Sequence, residues 1–564
     1  MRNRPRSSWV FGSLLCVMVL GLFQSAGDAA VWQWSVAVDQ PAAARSTQPR
    51  AFLWIAPNCQ QVRAVVVGQH NMLEEDILEH PEFRKAMAEL GLAIVWITPA
   101  IDGPFDPARS GDRFNKMMKD LADVSGYQEL EFAPIVPIGH SAAASYPWNF
   151  AAWSPQRTLA VLSVHGDAPE TPLAGFGKPN ASWGDRNVDG VPGLMVMGEY
   201  EWVDARLAPA TVYHIAHPKA PIAVLAEPGQ GHFAACDDLV HFLAMFLRKC
   251  VGQRLPAIGD TPMDKPPVLT AIDPSKGWLV QRWYLRTSRT IEPGPFAKYA
   301  GDPVDAFWAF DQEMADAIQN YHADQIGKRP QLIGIVQNGQ VVPAMPDLAM
   351  VNLKFLPEDD GQTLKLETKF LDAVPSMGAV NDVVRKNNLM RWTGLAAGSP
   401  LGHASGGGTI QIHRIEGPVE QIGPGTFRLS FYRGASFDNP VIWLCATHPG
   451  DDQYKSAVQQ MAINVPRNET GNEQSITVEE IADQKNDASS LKLSANSSAG
   501  LPVQFFVREG PAEVDGETLK LLLIPPRAKY PVKVTVVAWQ WGRSAEPRVK
   551  MAAPVERTFS ILAP

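Results

Sequence analysis

Between residues 31 and 250, eight apolar runs alternate with polar or amphipathic stretches. They read VWQWSVAV, RAFLWIAP, VRAVVVG, LAIVWITP, APIVPIG, LAVLSVHG, GLMVMG and PIAVLAEPG. Several are almost continuously apolar, as a strand must be when both its faces are covered. EEDILEHPEFRKAMAEL and RFNKMMKDLADV, which lie between them, place apolar residues at helical intervals. Such alternation predicts an α/β fold, a mostly parallel eight-stranded sheet with helices on both faces, over residues 30–254.

At 564 residues the chain is too long for one core of ordinary size. After residue 254 the texture changes. LPAIGDTPMDKPP reads as a proline-rich linker or surface strap. Residues 255–330 form a mixed extension with one helical pattern, DAFWAFDQEMADAIQNYHADQ. Over 331–475 short alternating runs such as TIQIHRI, TFRLSFYR and PVIWLCA predict a β-sandwich. Residues 488–564 are again strand-rich. Their stretch SLKLSANSSAGLPVQFFVREGPAEVDGETLKLLL resembles bacterial immunoglobulin-like modules, which implies a small β domain.

The first 29 residues carry Arg2, Arg4 and Arg6 ahead of WVFGSLLCVMVLGLF, then the small residues of QSAGDAA. That pattern is a secretory signal peptide, with cleavage expected near Ala29 and a secreted or periplasmic mature chain. The apolar run falls short of the ~20 residues a membrane span needs. Removing the leader takes three arginines and one aspartate from totals of 50 basic and 59 acidic residues, leaving about −11. Nothing forms a basic stripe, so nucleic acid is not an expected partner. Cys59, Cys236, Cys250 and Cys445 remain, without a CxxC pair or a zinc-type spacing. An exported chain favours a disulfide. Cys236 and Cys250 are excluded as partners because the helix between them holds them roughly 18 Å apart. Cys59 is then the expected partner of one of them. No cofactor and no metal are expected. DRNVDG, Asp185–Gly190, is half of a calcium-loop pattern without its closing glutamate and reads as an Asx-type turn.

IVPIGHSAAASYPW, starting at Ile135, is an apolar run that stops at Gly139 and places Ser141 among small residues. A strand, IGHSAA and a helix make the sharp turn that holds a nucleophile up for use. Here the chain resembles the α/β-hydrolase superfamily, with Ala143 where the motif G-x-S-x-G ends in glycine. Pro147 predicts a short or kinked helix after the turn.

The resemblance implies Ser141 as nucleophile, with an acid and then a histidine downstream. His232 follows the last strand of the sheet, where the family places its general base. GLMVMG leads into EYEWVD, and the family's usual spacing after the penultimate strand implies Glu201 as the acid, ahead of Glu199 and Asp204; Asp167 is an alternative after the sixth strand. The oxyanion hole is expected from the backbone of Ala142 and from His70 or Asn71. Asn71 also has the spacing of a helix cap with Glu74 reaching back. His140, Trp148 and Trp202 are candidate substrate-binding residues. His140 and His165 both end strands at the sheet's carboxyl edge, and hydrogen-bonded structural roles suit them as well. Trp153 and Trp183 belong to the same set of tryptophans, whose flat faces suit sugar rings or the hydrocarbon core.

These features predict a secreted serine esterase acting on ester substituents of polysaccharides or on small esters. Alternatives are a serine peptidase, a feruloyl-type aryl esterase, and a carbohydrate-binding or adhesive protein with an inactive hydrolase domain.

Overall fold

A computed structural model describes residues 32–39, 48–201, 204–233, 236–284, 289–321, 325–345, 350–376 and 392–564. The leader and Trp202 lie outside the described residues. Each of the eight apolar runs contains a strand: β1 Trp34–Ala37, β2 Arg50–Trp54, β3 Ala64–Gln69, β4 Leu92–Thr98, β5 Ile135–His140, β6 Val161–Val164, β7 Gly193–Gly198 and β8 Ile222–Glu227. They form one sheet in the order β1-β2-β4-β3-β5-β6-β7-β8. β2 is antiparallel to β1 and β4, and every other pair is parallel. Strands β3 to β8 are buried at every position, as two covered faces require.

The expected helices are present. The first amphipathic stretch splits at His80–Pro81 into α1 (Leu73–Glu79) and α2 (Pro81–Leu90). Proline suits the first position of a helix, where its missing N–H has no partner to lose. α3 (Gly111–Ser125), α4 (Ser145–Trp153), α5 (Asp204–Ala216) and α6 (Asp237–Arg254) complete the layers. The proline-rich stretch is a strap on the sheet's amino edge. Arg63 donates to Pro256 O and the Gln61 amide to Thr261 O, both at 2.8 Å. The helical pattern at 305–325 is only partly helix. Ala306–Ala309 is a buried strand, and α7 (Gln312–Asn320) starts where Asp311 accepts from Met314 N. AFWA buries every side chain, whereas a surface helix needs a polar face.

The remainder is β-rich. One sheet runs β9-β12-β11-β10, with β9 Val351–Leu353, β10 Gln411–Glu416, β11 Val441–His448 and β12 Ala457–Asn464. Phe427, Leu429, Leu444 and Met461 fill the core between it and a smaller sheet. The last segment pairs β13 (Gln504–Glu509), β14 (Val532–Trp539) and β15 (Val555–Leu562) over Leu519, Val534 and Phe559. Val31–Pro564 form one compact unit.

The expected disulfide is absent: Cys59, Cys236, Cys250 and Cys445 are all free. Cys236 immediately precedes α6, and Cys250 is buried inside it, so the helix does separate them. Cys59 instead donates to Gln61 O at 3.3 Å, and Cys445 lies in β11 within the second sheet system.

Candidate active site

β5 leaves the sheet at His140 in extended geometry, and Ser141 then takes φ +51°. A non-glycine residue in that region is strained and persists only where its surroundings impose it. The surroundings here are small because they have to be. A Cβ on Gly139 would overlap Ala143 O, and one on Gly166 would overlap the Ala144 methyl. Ser141–Ala143 form a 3₁₀ turn before α4 starts at Ser145. Of the two outcomes expected for Pro147 the short helix is the one found: α4 has nine residues, against 15 in α3 and 18 in α6. Pro147 is the third residue of α4, where backbone N–H groups lack intrahelical acceptors anyway, so no kink is needed.

Ser141 Oγ lies 2.6 Å from His232 Nε2, and His232 Nδ1 is hydrogen-bonded to Glu201 Oε2. Glu201 sits in a one-turn 3₁₀ segment directly after β7, and its Oε1 accepts from Gly198 N at 3.1 Å. Burial alone would raise its carboxyl; His232 and His165 beside it hold it well below the usual carboxylate range. Burial also lowers His232, partly offset by Glu201. The other acids are engaged elsewhere. Glu199 pairs with Lys455 and accepts from Gly229 N at 2.9 Å. Asp167 accepts from Ser145 Oγ at 2.7 Å. The side chain of Asp204 lies outside the described residues.

Several sequence-derived roles need correction. His140 is fully buried. Its Nε2 meets His232 O at 2.8 Å and its Nδ1 meets the Asn71 amide at 3.3 Å, so it braces the site and offers substrate nothing. Burial holds it uncharged, well below the usual histidine range. Trp148 and Trp183 are buried in the core, with indole N–H groups donated to Asp167 O at 2.8 Å and Asn149 Oδ1 at 2.6 Å. Trp153 packs among Phe105, Phe114 and Phe150.

His70 donates its backbone N–H to Ile97 O at 2.7 Å, which removes it as an oxyanion donor. Its ring pairs with Glu416 at 2.9 Å. Asn71 does not cap α1. The cap is Met72, whose N–H is taken by Glu74 Oε2 at 2.9 Å, and the Asn71 amide donates to His140 O at 2.8 Å. Ala142 is half-buried in the middle of the 3₁₀ turn.

The structure also gives His165 and Glu74 partners that the sequence did not name, and adds Glu227, which it passed over. His165, at φ +47° and without exposure, bonds through Nδ1 to Glu201 Oε1 and faces Glu227 Oε2 through Nε2 at 2.9 Å. The available signal was Glu227 itself, an acid at the end of an otherwise apolar strand. Glu74 is buried and bridges Met72 N and His140 N, the latter at 2.7 Å; burial pushes its carboxyl up to about 7.

The β-rich part stands on the same loops. Phe233, next to His232, meets Trp443 with ring centroids 5.3 Å apart. Tyr200, next to Glu201, stacks on Trp392 and donates to Ser456 O at 2.6 Å.

No protein-family model matches the sequence, and no curated protein matches it. Among solved structures the chain is similar to Est1E from Butyrivibrio proteoclasticus, at 14% identity over 39% of this chain and 99% of that one, with a TM-score of 0.27. It is similar to an S-formylglutathione hydrolase from Agrobacterium tumefaciens, at 12% identity over 39% and 94%, with a TM-score of 0.28. A third is a hyperthermophilic esterase from the archaeon Pyrobaculum calidifontis, at 13% identity over 39% and 85%, with a TM-score of 0.29. Strand order and the turn at Ser141 define the architecture. The N-terminal sheet region has the α/β-hydrolase fold.

Proposed function

We propose that this chain is an exported serine hydrolase of carboxylic esters. The observation that carries the reading is the continuous line Ser141 Oγ, His232 Nε2, His232 Nδ1, Glu201. A serine hydroxyl is a weak nucleophile until a base takes its proton during attack. In this reading Ser141 Oγ bonds to the ester carbonyl carbon while its proton passes to His232 Nε2. Collapse of the tetrahedral adduct breaks the carbon–alkoxy bond, and the alcohol leaves with the proton from His232. Water repeats the sequence on the acyl group, releasing the acid and restoring Ser141. Glu201 holds the imidazole tautomer and stabilises its cation. The backbone N–H groups of Ala142 and Asn71 are the proposed oxyanion donors, with Gly139 and the helix start fixing the first of them.

Polysaccharide esters are the proposed substrates, supported by the leader-like N-terminus and the appended β-sheet segments. A screen on acetylated, methylated and feruloylated glycans, with p-nitrophenyl acetate and peptides alongside, separates this from the aryl-esterase and peptidase readings. A fluorophosphonate should label Ser141, and S141A should abolish both labelling and hydrolysis. Labelling at another residue, or full activity in S141A, overturns the proposal.

A further inference from the structure

Glu201 accepts from two histidines, and only one of them faces Ser141. The line continues past the acid: His232, Glu201, His165, Glu227, each pair in hydrogen-bonding or ion-pair contact. The side chains of Glu201, His165 and Glu227 are at most 1% exposed. Glu227 Oε1 in turn accepts from Tyr321 OH at 3.1 Å and lies 3.8 Å from Cys236 Sγ. An imidazole with one N–H would aim a lone pair at one of the two carboxylates. Two buried carboxylates beside opposite ring nitrogens, one hydrogen-bonded and one at ion-pair distance, therefore call for a ring protonated on both. The same cation offsets two negative charges that have no water around them.

We infer that His165 is a buried, doubly protonated imidazolium that positions Glu201 and sets the basicity of His232 from the far side of the acid. The inference rests on the serine-hydrolase reading above. His165 does not touch the reacting atoms; it acts through Glu201 as a positioning residue. Glu201 presents Oε1 to His165 and Oε2 to His232, so its carboxylate cannot rotate without breaking one bond. A positive charge behind Glu201 weakens the pull of that carboxylate on a proton at His232, and the negative charge of Glu227 behind it partly restores the pull. The charged and titratable groups around the ring are Glu201 and Glu227 directly, and His140 and His232 with ring centroids at 5.9 and 6.3 Å. Arg206 lies 3.8 Å from Glu201, and Tyr321 and Cys236 lie on Glu227.

The signs of two substitutions follow. H165Q removes the cation, so His232 holds its proton more tightly and the acid limb of kcat/KM moves to higher pH. E227Q removes an anion of nearly the same shape, so the limb moves to lower pH. Each shift should be about one pH unit. The measurement is p-nitrophenyl acetate hydrolysis by the full chain against pH, with folding checked by circular dichroism. A purely structural role would leave both limbs in place or move them together, and either outcome overturns the inference while S141A still tests the parent reading. Should H165Q fail to fold, the wild-type protein decides. With isotope-labelled histidine, nuclear magnetic resonance near neutral pH should show both ring N–H groups of His165, and a single N–H refutes it.

Discussion

The two oxygens of Glu201 make different demands on a substitution. Glutamine keeps the shape but offers one oxygen and one N–H₂, so one histidine loses an acceptor. If the amide nitrogen faces His232, the ring takes the wrong tautomer for a base; if the oxygen faces it, the imidazolium loses its counter-charge. E201Q should therefore lower turnover by about 10⁴-fold, the scale for loss of a triad acid's charge. E199Q should lose far less because Glu199 faces Lys455 and Gly229; comparison of the two rates on p-nitrophenyl acetate checks the assignment. Ser141, Glu201 and His232 were legible because each follows the end of an apolar run, where the chain must turn and side chains gather at one edge of the sheet. His165 and Glu227 were also visible as strand ends. Their meeting with Glu201 was not, because it depends on β6, β7 and β8 lying side by side, which no local spacing encodes.

Strands and helices were read from apolar runs and periodicity, and the one misread element has a clear cause. AFWA looked helical because an apolar stretch of four residues carries no period of its own. Docking of one element on another left no trace in the sequence. β10 brings Glu416 to the loop after β3, where it pairs with His70. Burial opposes a charge on His70, yet Glu416 pushes it up to about 9. The folded-state value lies above the ordinary one of 6.5, so this contribution is complete below about pH 6.5 and disappears as pH rises through 9. With the ring partly exposed, its size is at most about 1 kcal/mol after solvent screening. E416Q should lower the melting temperature at pH 6 and leave it nearly unchanged at pH 10. A loss of equal size at both values would show that Glu416 acts by packing alone.

The whole molecule does not divide where its sequence texture changes. The hydrophobic core of the N-terminal sheet takes in Trp392, Ile415, Cys445 and Val458 from the β-rich part. Further along, Arg527 forks onto both oxygens of Glu129 at 2.7 and 3.1 Å. Glu509 accepts from Ser35 on β1 and pairs with Arg50 at 3.3 Å. Trp539 and Trp541 of the last segment complete the core of the preceding sandwich. A chain ended at residue 254 would expose Tyr200 and Phe233, which now lie against Trp392 and Trp443. It would also remove the guanidinium of Arg527 from Glu129, along with the segment that covers that carboxylate. Because Tyr200 and Phe233 adjoin Glu201 and His232, the site's own loops would loosen first. Residues 32–254 expressed alone should be poorly soluble or react with a fluorophosphonate at least tenfold more slowly than the full chain. Adding residues back to 475 should restore the contacts at Tyr200 and Phe233 but not those of Trp539, Trp541 or Arg527. That intermediate chain should label at Ser141 and melt below the full-length protein. Wild-type labelling by 32–254 would mean that the β-rich part only decorates a self-sufficient hydrolase.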